Sequence, residues 1–120
     1  MNPEFNCIIP VLPSADIERD IVWYRDKTGF AAVFCDDMYA VLKRDNLYLH
    51  LQWHADTETD PLLGGSVIRI DVNNIQPLFE EFVQRGTVKA DAFRSDTPWH
   101  YAEFGFFDLN NNAIFIMERL

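Results

Sequence analysis

The sequence predicts an α+β fold in which two βαβββ modules curl mixed sheets around one shared cleft. Length and composition are the first observation, because 120 residues with 48% hydrophobic side chains supply one sizeable core. The second is an internal repeat of one strand, one helix and three strands. We expect a single domain with module one at about 1–54, a linker at 55–65 and module two at about 66–120.

Module one begins with a β-prone run over residues 4–12. Pro10 lies inside this run and cannot donate a ladder hydrogen bond, so the run is expected at a sheet edge or as a flexible arm. A helix follows, with Ser14 or Asp16 as its N-cap and Gly29 as its stop. Three further strands are predicted at 30–36, 39–44 and 47–53.

Module two repeats this order after the polar linker. Residues 66–72 predict a strand, Asn73 or Asn74 can cap a second helix, and Gly86 ends that helix. Similar spacing between two amphipathic helices also arises by chance, so the repeat alone leaves the fold open. Three final strands are predicted at 88–94, 99–107 and 112–118.

Charge and cysteine content restrict the function. The chain has a formal charge of -9, which repels phosphate backbones and anionic lipid, so neither nucleic acid nor a membrane is expected as a partner. Cys7 and Cys35 form no CxxC motif, which suits a reducing compartment. The first residues lack the basic start of a signal peptide, and we therefore expect a cytoplasmic protein.

Three segments together resemble one known family. IPVLPSADIERDIVWYRDKTGF is similar to the opening of glyoxalase and bleomycin-resistance domains, and YAVLKRDNLYLHLQW resembles their third and fourth strands. TPWHYAEFGFFDLNNNAIFIME resembles their closing strand pair, although DLNNN replaces the usual DPDGN turn. The resemblance to this vicinal oxygen chelate superfamily, on its bleomycin-resistance-like branch, covers nearly the whole chain. It implies a homodimer, and it leaves open whether the N-terminal strand is exchanged with Pro10 as the hinge.

The departures from the family carry the functional hypothesis. Metal-dependent members are expected to place ligands on the first, fourth, fifth and eighth strands. The matching positions here are Ile9 (or Pro10), His50 (or its neighbours), Val67 (or Ser66) and Phe115, so at most one is a competent ligand. The sequence therefore predicts no metal, no other cofactor and no catalytic residue, although whether any reaction is catalysed stays open.

Alternation along the strands selects the residues that face the predicted cleft. On the strand over 47–53 the leucines are expected to face the helices, which leaves the intervening polar and aromatic side chains for a ligand. Glu103 is expected either to attract a cationic guest or to pair with His50 as a buried structural couple. The candidate ligand-binding residues are Phe34, Tyr39, Tyr48, His50, Gln52, Trp99, Glu103, Phe107 and Phe115.

Three functions remain open at the level of sequence. The leading hypothesis is a metal-free binding protein that sequesters a small aromatic or cationic molecule, such as a bleomycin-like antibiotic, in a cleft at a dimer interface. The alternative is a metal-dependent glyoxalase or dioxygenase-type lyase with a displaced site built from His50 and Glu103 with His54 or Gln52. The third is a structural or regulatory domain whose cleft is filled by large side chains such as Phe107 and Phe115.

Overall fold

Local capping signals set the first helix. In the computed structural model, which describes residues 1–120, β1 spans Val11–Ser14 and α1 spans Ile17–Thr28. Asp16 is extended and its side chain accepts a hydrogen bond from the Arg19 N–H at 3.0 Å, while Gly29 ends the helix at φ 78°. Both predicted signals are confirmed. Ser14 is not the cap, since its hydroxyl donates to Asp20.

Module one continues as a meander that completes a four-stranded sheet, called sheet A. Its strands are β2 (Ala31–Cys35), β3 (Tyr39–Arg44) and β4 (Leu47–Trp53). They order as β1-β4-β3-β2, with β1 parallel to β4 and the other pairs antiparallel. The predicted strands over 39–44 and 47–53 coincide with β3 and β4.

Module two forms a smaller sheet, called sheet B. It contains β5 (Val67–Asp71), β6 (Tyr101–Phe107) and β7 (Ala113–Arg119), ordered β5-β7-β6, with α2 (Ile75–Gln84) between β5 and β6. β5 is parallel to β7, and β6 is antiparallel to it. The predicted α+β class with two mixed sheets and two helices is confirmed. Neither helix is long and apolar enough to cross a membrane.

One predicted strand is displaced and another is absent. Residues 4–9 form no strand, because within the chain they have no partner for a ladder, and β1 begins only after Pro10. The prediction over 88–94 also fails: this segment is a loop that touches β6 through a single bridge between Arg94 and Glu103. Its Lys-Ala-Asp-Ala sequence turns, with the Ala92 N–H bonded to the Lys89 carbonyl. Module two is therefore βαββ.

The helices bury one side of each sheet and leave the other side open. Leu42, Leu49 and Leu51 pack with Tyr24 of α1, and Ile114 of β7 joins the same cluster. A second cluster packs α2 against β6 and β7. The two modules thus share a core on their helix sides, and the opposite sides of sheets A and B are free to form a site.

A buried polar network also joins the modules beside the β6–β7 turn. The Tyr24 hydroxyl donates to Asp108 at 2.5 Å, and the Asn110 amide donates to Asp20 at 2.7 Å. Asn112 bonds both Asp108 and the Pro13 carbonyl. The DLNNN turn of module two is therefore held by β1 and α1 of module one.

A second polar link lies at the far end of the helices. Arg44 donates through both terminal nitrogens to Glu81, each at 2.7 Å, and also to the Thr28 carbonyl at the end of α1. Arg85 donates to Glu81 and to the carbonyls of Arg25 and Asp26. These contacts satisfy helix carbonyls and fix the two helices relative to each other.

Candidate functional site

Five predicted site residues lie on the open face of sheet A. The Tyr39 hydroxyl and His50 Nδ1 are 2.7 Å apart, and their rings meet edge to face at 5.3 Å. The Lys43 ammonium lies 5.4 Å from the ring centre of Tyr48. Gln52 and the half-exposed Phe34 complete the predicted group. This face thus offers flat rings with a few hydrogen-bonding groups, the usual composition of a small-molecule surface.

The other four predicted residues lie on sheet B or its adjoining loop. The Glu103 side chain is only 2% exposed and accepts hydrogen bonds from Trp99 Nε1 at 2.6 Å and Arg69 Nη2 at 2.9 Å. Phe107 is 66% exposed at the end of β6. The Arg94 guanidinium lies 5.1 Å from the Trp99 ring centre. Cations therefore accompany the rings on this face too.

Phe115 occupies the middle of the open face of sheet B. Gly105 lies opposite it on β6, and a Cβ atom at Gly105 would come within 2.7 Å of the Phe115 ring. The Arg69 guanidinium lies 5.1 Å from the centre of the same ring, and Arg69 Nε donates to the sulfur of Met117 at 3.2 Å. The absence of a side chain at Gly105 allows the ring to lie close against β6, beside a fixed arginine.

Two expectations about Glu103 are wrong. It does not pair with His50, because the two residues stand on different sheets and each bonds other partners. Its carboxylate is also not accessible to a cationic guest, since it is buried and already accepts hydrogen bonds from Arg69 and Trp99. No hydrogen bond, ring contact or ion pair connects the predicted residues on sheet A with those on sheet B. One chain therefore presents the candidate residues as two separate groups, one on each sheet.

A groove of about 370 Å³ runs between the two sheets, below residues 7–10. Tyr48 of β4 and Arg69 of β5 both line it, together with apolar side chains such as Ile9 and Leu47. Sequence reasoning included Tyr48 but missed Arg69. The available signal was alternation in SVIRIDV, which places Arg69 on the face opposite Ile68 and Ile70.

The residues do not fit the metal site that the superfamily resemblance implies. Phe115 occupies one of the family's ligand positions, and His50 Nδ1 is engaged by Tyr39. His54 Nδ1 lies 2.6 Å from its neighbouring carbonyl, and Glu103 is on the other sheet. No group of three His, Cys, Asp or Glu side chains is close enough to hold an ion. The displaced site of the lyase alternative is not assembled.

Comparison with known proteins agrees with this architecture. No protein-family model matches the sequence. The bleomycin resistance protein of Geobacillus stearothermophilus is 28% identical, over an alignment that covers 93% of this chain and 96% of that protein. Among solved structures, a bleomycin resistance determinant encoded on the transposon Tn5 superposes with a TM-score of 0.81 at 19% identity, covering 96% of this chain and 98% of that one.

A bleomycin-binding protein solved in complex with bleomycin also superposes closely, with a TM-score of 0.80 at 18% identity. The match covers 97% of this chain and 100% of that one. The paired modules and sheets therefore define the glyoxalase and bleomycin resistance fold. Over nearly its whole length, the chain is similar in sequence to a bleomycin resistance protein and shares the fold of the two solved structures.

Proposed function

We propose that the chain is a binding protein without a metal of its own, which sequesters a small aromatic or cationic molecule in a cleft shared by two copies. A bleomycin-like antibiotic is the first ligand to test. The observation that carries this proposal is the pair of open, aromatic sheet faces on the side away from the helices. Trp99, Phe107 and Tyr48 are each more than two-fifths exposed there. Exposed rings of this size on neighbouring strands are typical of a binding surface.

The separation of the candidate residues into two groups, one on each sheet, supports a cleft at a dimer interface. Each face is too open to enclose a ligand alone, whereas sheet A of one copy set against sheet B of another would surround it. Phe5 and Ile8 are almost fully exposed on the segment that precedes β1. That segment is joined to sheet A where the His50 N–H bonds the Pro10 carbonyl at 3.0 Å. Contact with a second copy would bury these apolar side chains.

Calorimetry with metal-free bleomycin tests the binding activity. We expect saturable heat, and we expect Trp99→Ala to weaken affinity about tenfold because it removes a ring from the open face, a loss of about 1.4 kcal/mol. Trp53→Ala is the matched control, because Trp53 is also half-exposed but lines a different groove beside the start of α1. Absence of heat at high micromolar concentration, or equal loss in both variants, would contradict the proposal.

Sedimentation velocity over a dilution series tests the shared cleft. We expect a dimer that dissociates on dilution, and added bleomycin should shift the equilibrium toward the dimer because the ligand contacts both copies. A monomer at every concentration that still binds bleomycin would refute the interface while leaving the binding activity intact.

A further inference from the structure

Arg69 differs from Arg44 and Arg85, which also contact a carboxylate. Arg44 and Arg85 use their donors on Glu81 and on carbonyls of α1, so they are committed to holding the modules together. Arg69 uses Nε on Met117 and Nη2 on Glu103, and its Nη1 has no hydrogen-bond partner in the chain. Its side chain is 38% exposed. Hydrogen bonds from Nε and Nη2 hold the guanidinium in place, and Nη1 is left able to donate to an acceptor on a ligand.

The position of Arg69 is equally specific. It lies against the Phe115 ring on the open face of sheet B, and it also lines the groove that contains Tyr48. Most of that groove is apolar, so a charged donor there acts in surroundings that screen it less than water does. The groove volume is within the range of small-molecule sites, at about 300 to 1,000 Å³.

Charge is distributed unevenly over the molecule. The chain as a whole carries -9, yet Lys43, Arg69 and Arg119 stand on the open faces of the strands, and Arg94 lies beside Trp99. The carboxylates on these faces are Glu103, which is already paired, and Asp71. The open faces are therefore more basic than the rest of the surface.

We infer that Arg69 anchors the ligand, and that the preferred ligand is a planar aromatic molecule carrying a carboxylate or similar anionic acceptor. The Arg69 Nη1 donates to the acceptor, while the ring lies in the groove beside Tyr48 and against the apolar side chains of β4. This inference rests on the proposed binding function and narrows it from aromatic or cationic molecules to aromatic anions. Asp71, on the same face of β5, opposes such an anion.

Calorimetry with three naphthalene probes tests the inference. Naphthalene-2-carboxylate is expected to bind about tenfold more tightly than 2-naphthylmethylammonium, with neutral naphthalene-2-carboxamide between them. In Arg69→Met/Glu103→Gln, the carboxylate should lose about tenfold in affinity and the carboxamide much less. The second substitution removes the buried charge that loss of Arg69 alone would leave unpaired. Asp71→Asn should tighten carboxylate binding about threefold.

Arg25→Met is the matched control, because it removes the same charge from an exposed position on α1 far from the groove. It should leave all three affinities unchanged. Ammonium binding as tight as carboxylate binding, no binding of any naphthalene probe, or equal effects of the Arg25 and Arg69 variants would overturn the inference. Bleomycin binding that survives the Arg69 variant would leave the proposed function standing, whereas loss of binding to every compound would remove both.

Discussion

At the scale of single residues, Gly105 determines how the open face of sheet B is built. Gly105 has an ordinary strand conformation, so its structural role comes from the absence of a side chain and not from an unusual backbone angle. The Phe115 ring lies over it, and the Arg69 guanidinium lies near the same ring and donates to the Met117 sulfur. A larger residue at position 105 would push the ring outward and displace the arginine with it.

A double-mutant cycle on Gly105 and Phe115 tests this packing. Gly105→Ala should destabilise the fold by about 1 to 3 kcal/mol, because the new methyl group overlaps the ring. In a Phe115→Ala background the same change should cost much less, since the ring is gone. Urea unfolding of wild type, the two single variants and the double variant gives the coupling free energy between positions 105 and 115. Equal costs in both backgrounds would show that Phe115 does not constrain Gly105.

The candidate site shows what could be predicted residue by residue. Strand alternation placed Tyr48, His50 and Gln52 together on one face because that rule is local to a strand. It could not show that Glu103 pairs with Arg69, since that contact joins residues 34 positions apart on different strands. The sequence therefore indicated which side chains face outward, but not which charges cancel.

At the scale of elements, the start of α2 depends on a distant side chain. Asn74 occupies the N-cap position but has φ 64° and makes no capping bond with its side chain, contrary to the prediction. The Glu118 carboxylate of β7 accepts the N–H groups of Asn74 and Ile75 at 2.8 and 3.0 Å instead. Hydrogen bonds from the Ile75 and Asn74 amides hold the pKa of Glu118 below its usual range. Sheet B thus caps its own helix.

Hydrogen exchange on α2 tests the cap. In Glu118→Ala the amides of Asn74 and Ile75 should exchange several-fold faster, because they lose their acceptor. Because folding lowers the pKa of Glu118, the stability that this cap contributes is present above the unfolded pKa of about 4.3. It is lost as pH falls through the folded pKa. The difference from wild type should therefore fade in acid. Glu80→Ala, an exposed change on the same helix, is the control, and an equal effect there would argue against capping.

The elements that sequence predicted best were those defined by local chemistry. Asp16 and Gly29 bound α1 through contacts within a few residues, so their roles were readable. Strands need partners, and the apolar run over 4–12 pairs with β4 only from Val11 onward, while the segment 88–94 makes a single bridge. The sequence patterns of these segments indicated β structure, but whether a segment forms a strand depends on its having a partner strand.

At the scale of the whole molecule, the modules are held at both ends of their shared core. The Asp20 and Asp108 network closes one end, and the Glu81 link closes the other. Burial, reinforced by the neighbouring Asp108 charge, raises the pKa of Tyr24. Ionisation of Tyr24 is disfavoured only in the folded state. The contribution of Tyr24 to the free energy of unfolding is therefore fully present below the unfolded pKa of about 10 and is lost as pH rises above that value.

Urea unfolding of Tyr24→Phe at neutral and alkaline pH tests this linkage. At pH 7 the variant should be less stable by about 1 to 2 kcal/mol, because buried Asp108 loses a donor. Above about pH 10 its stability should fall less steeply than that of wild type. Tyr101→Phe is the control, because the Tyr101 hydroxyl makes no hydrogen bond in the chain. Parallel pH profiles for wild type and Tyr24→Phe would contradict the assignment.

The molecule is acidic overall, whereas its open sheet faces are more basic. We therefore expect ionic strength to affect both the pairing of two copies and the binding of a charged ligand. Dissolved salt screens exposed charges over about 10 Å at 0.1 M, so it weakens the mutual repulsion of two acidic copies. The same salt weakens the attraction of a guanidinium for an anion. Under the proposed function, dilute buffer is therefore expected to favour capture of a negatively charged guest and to oppose pairing of two copies, and concentrated salt is expected to do the reverse. Experiments on the two properties have different best conditions.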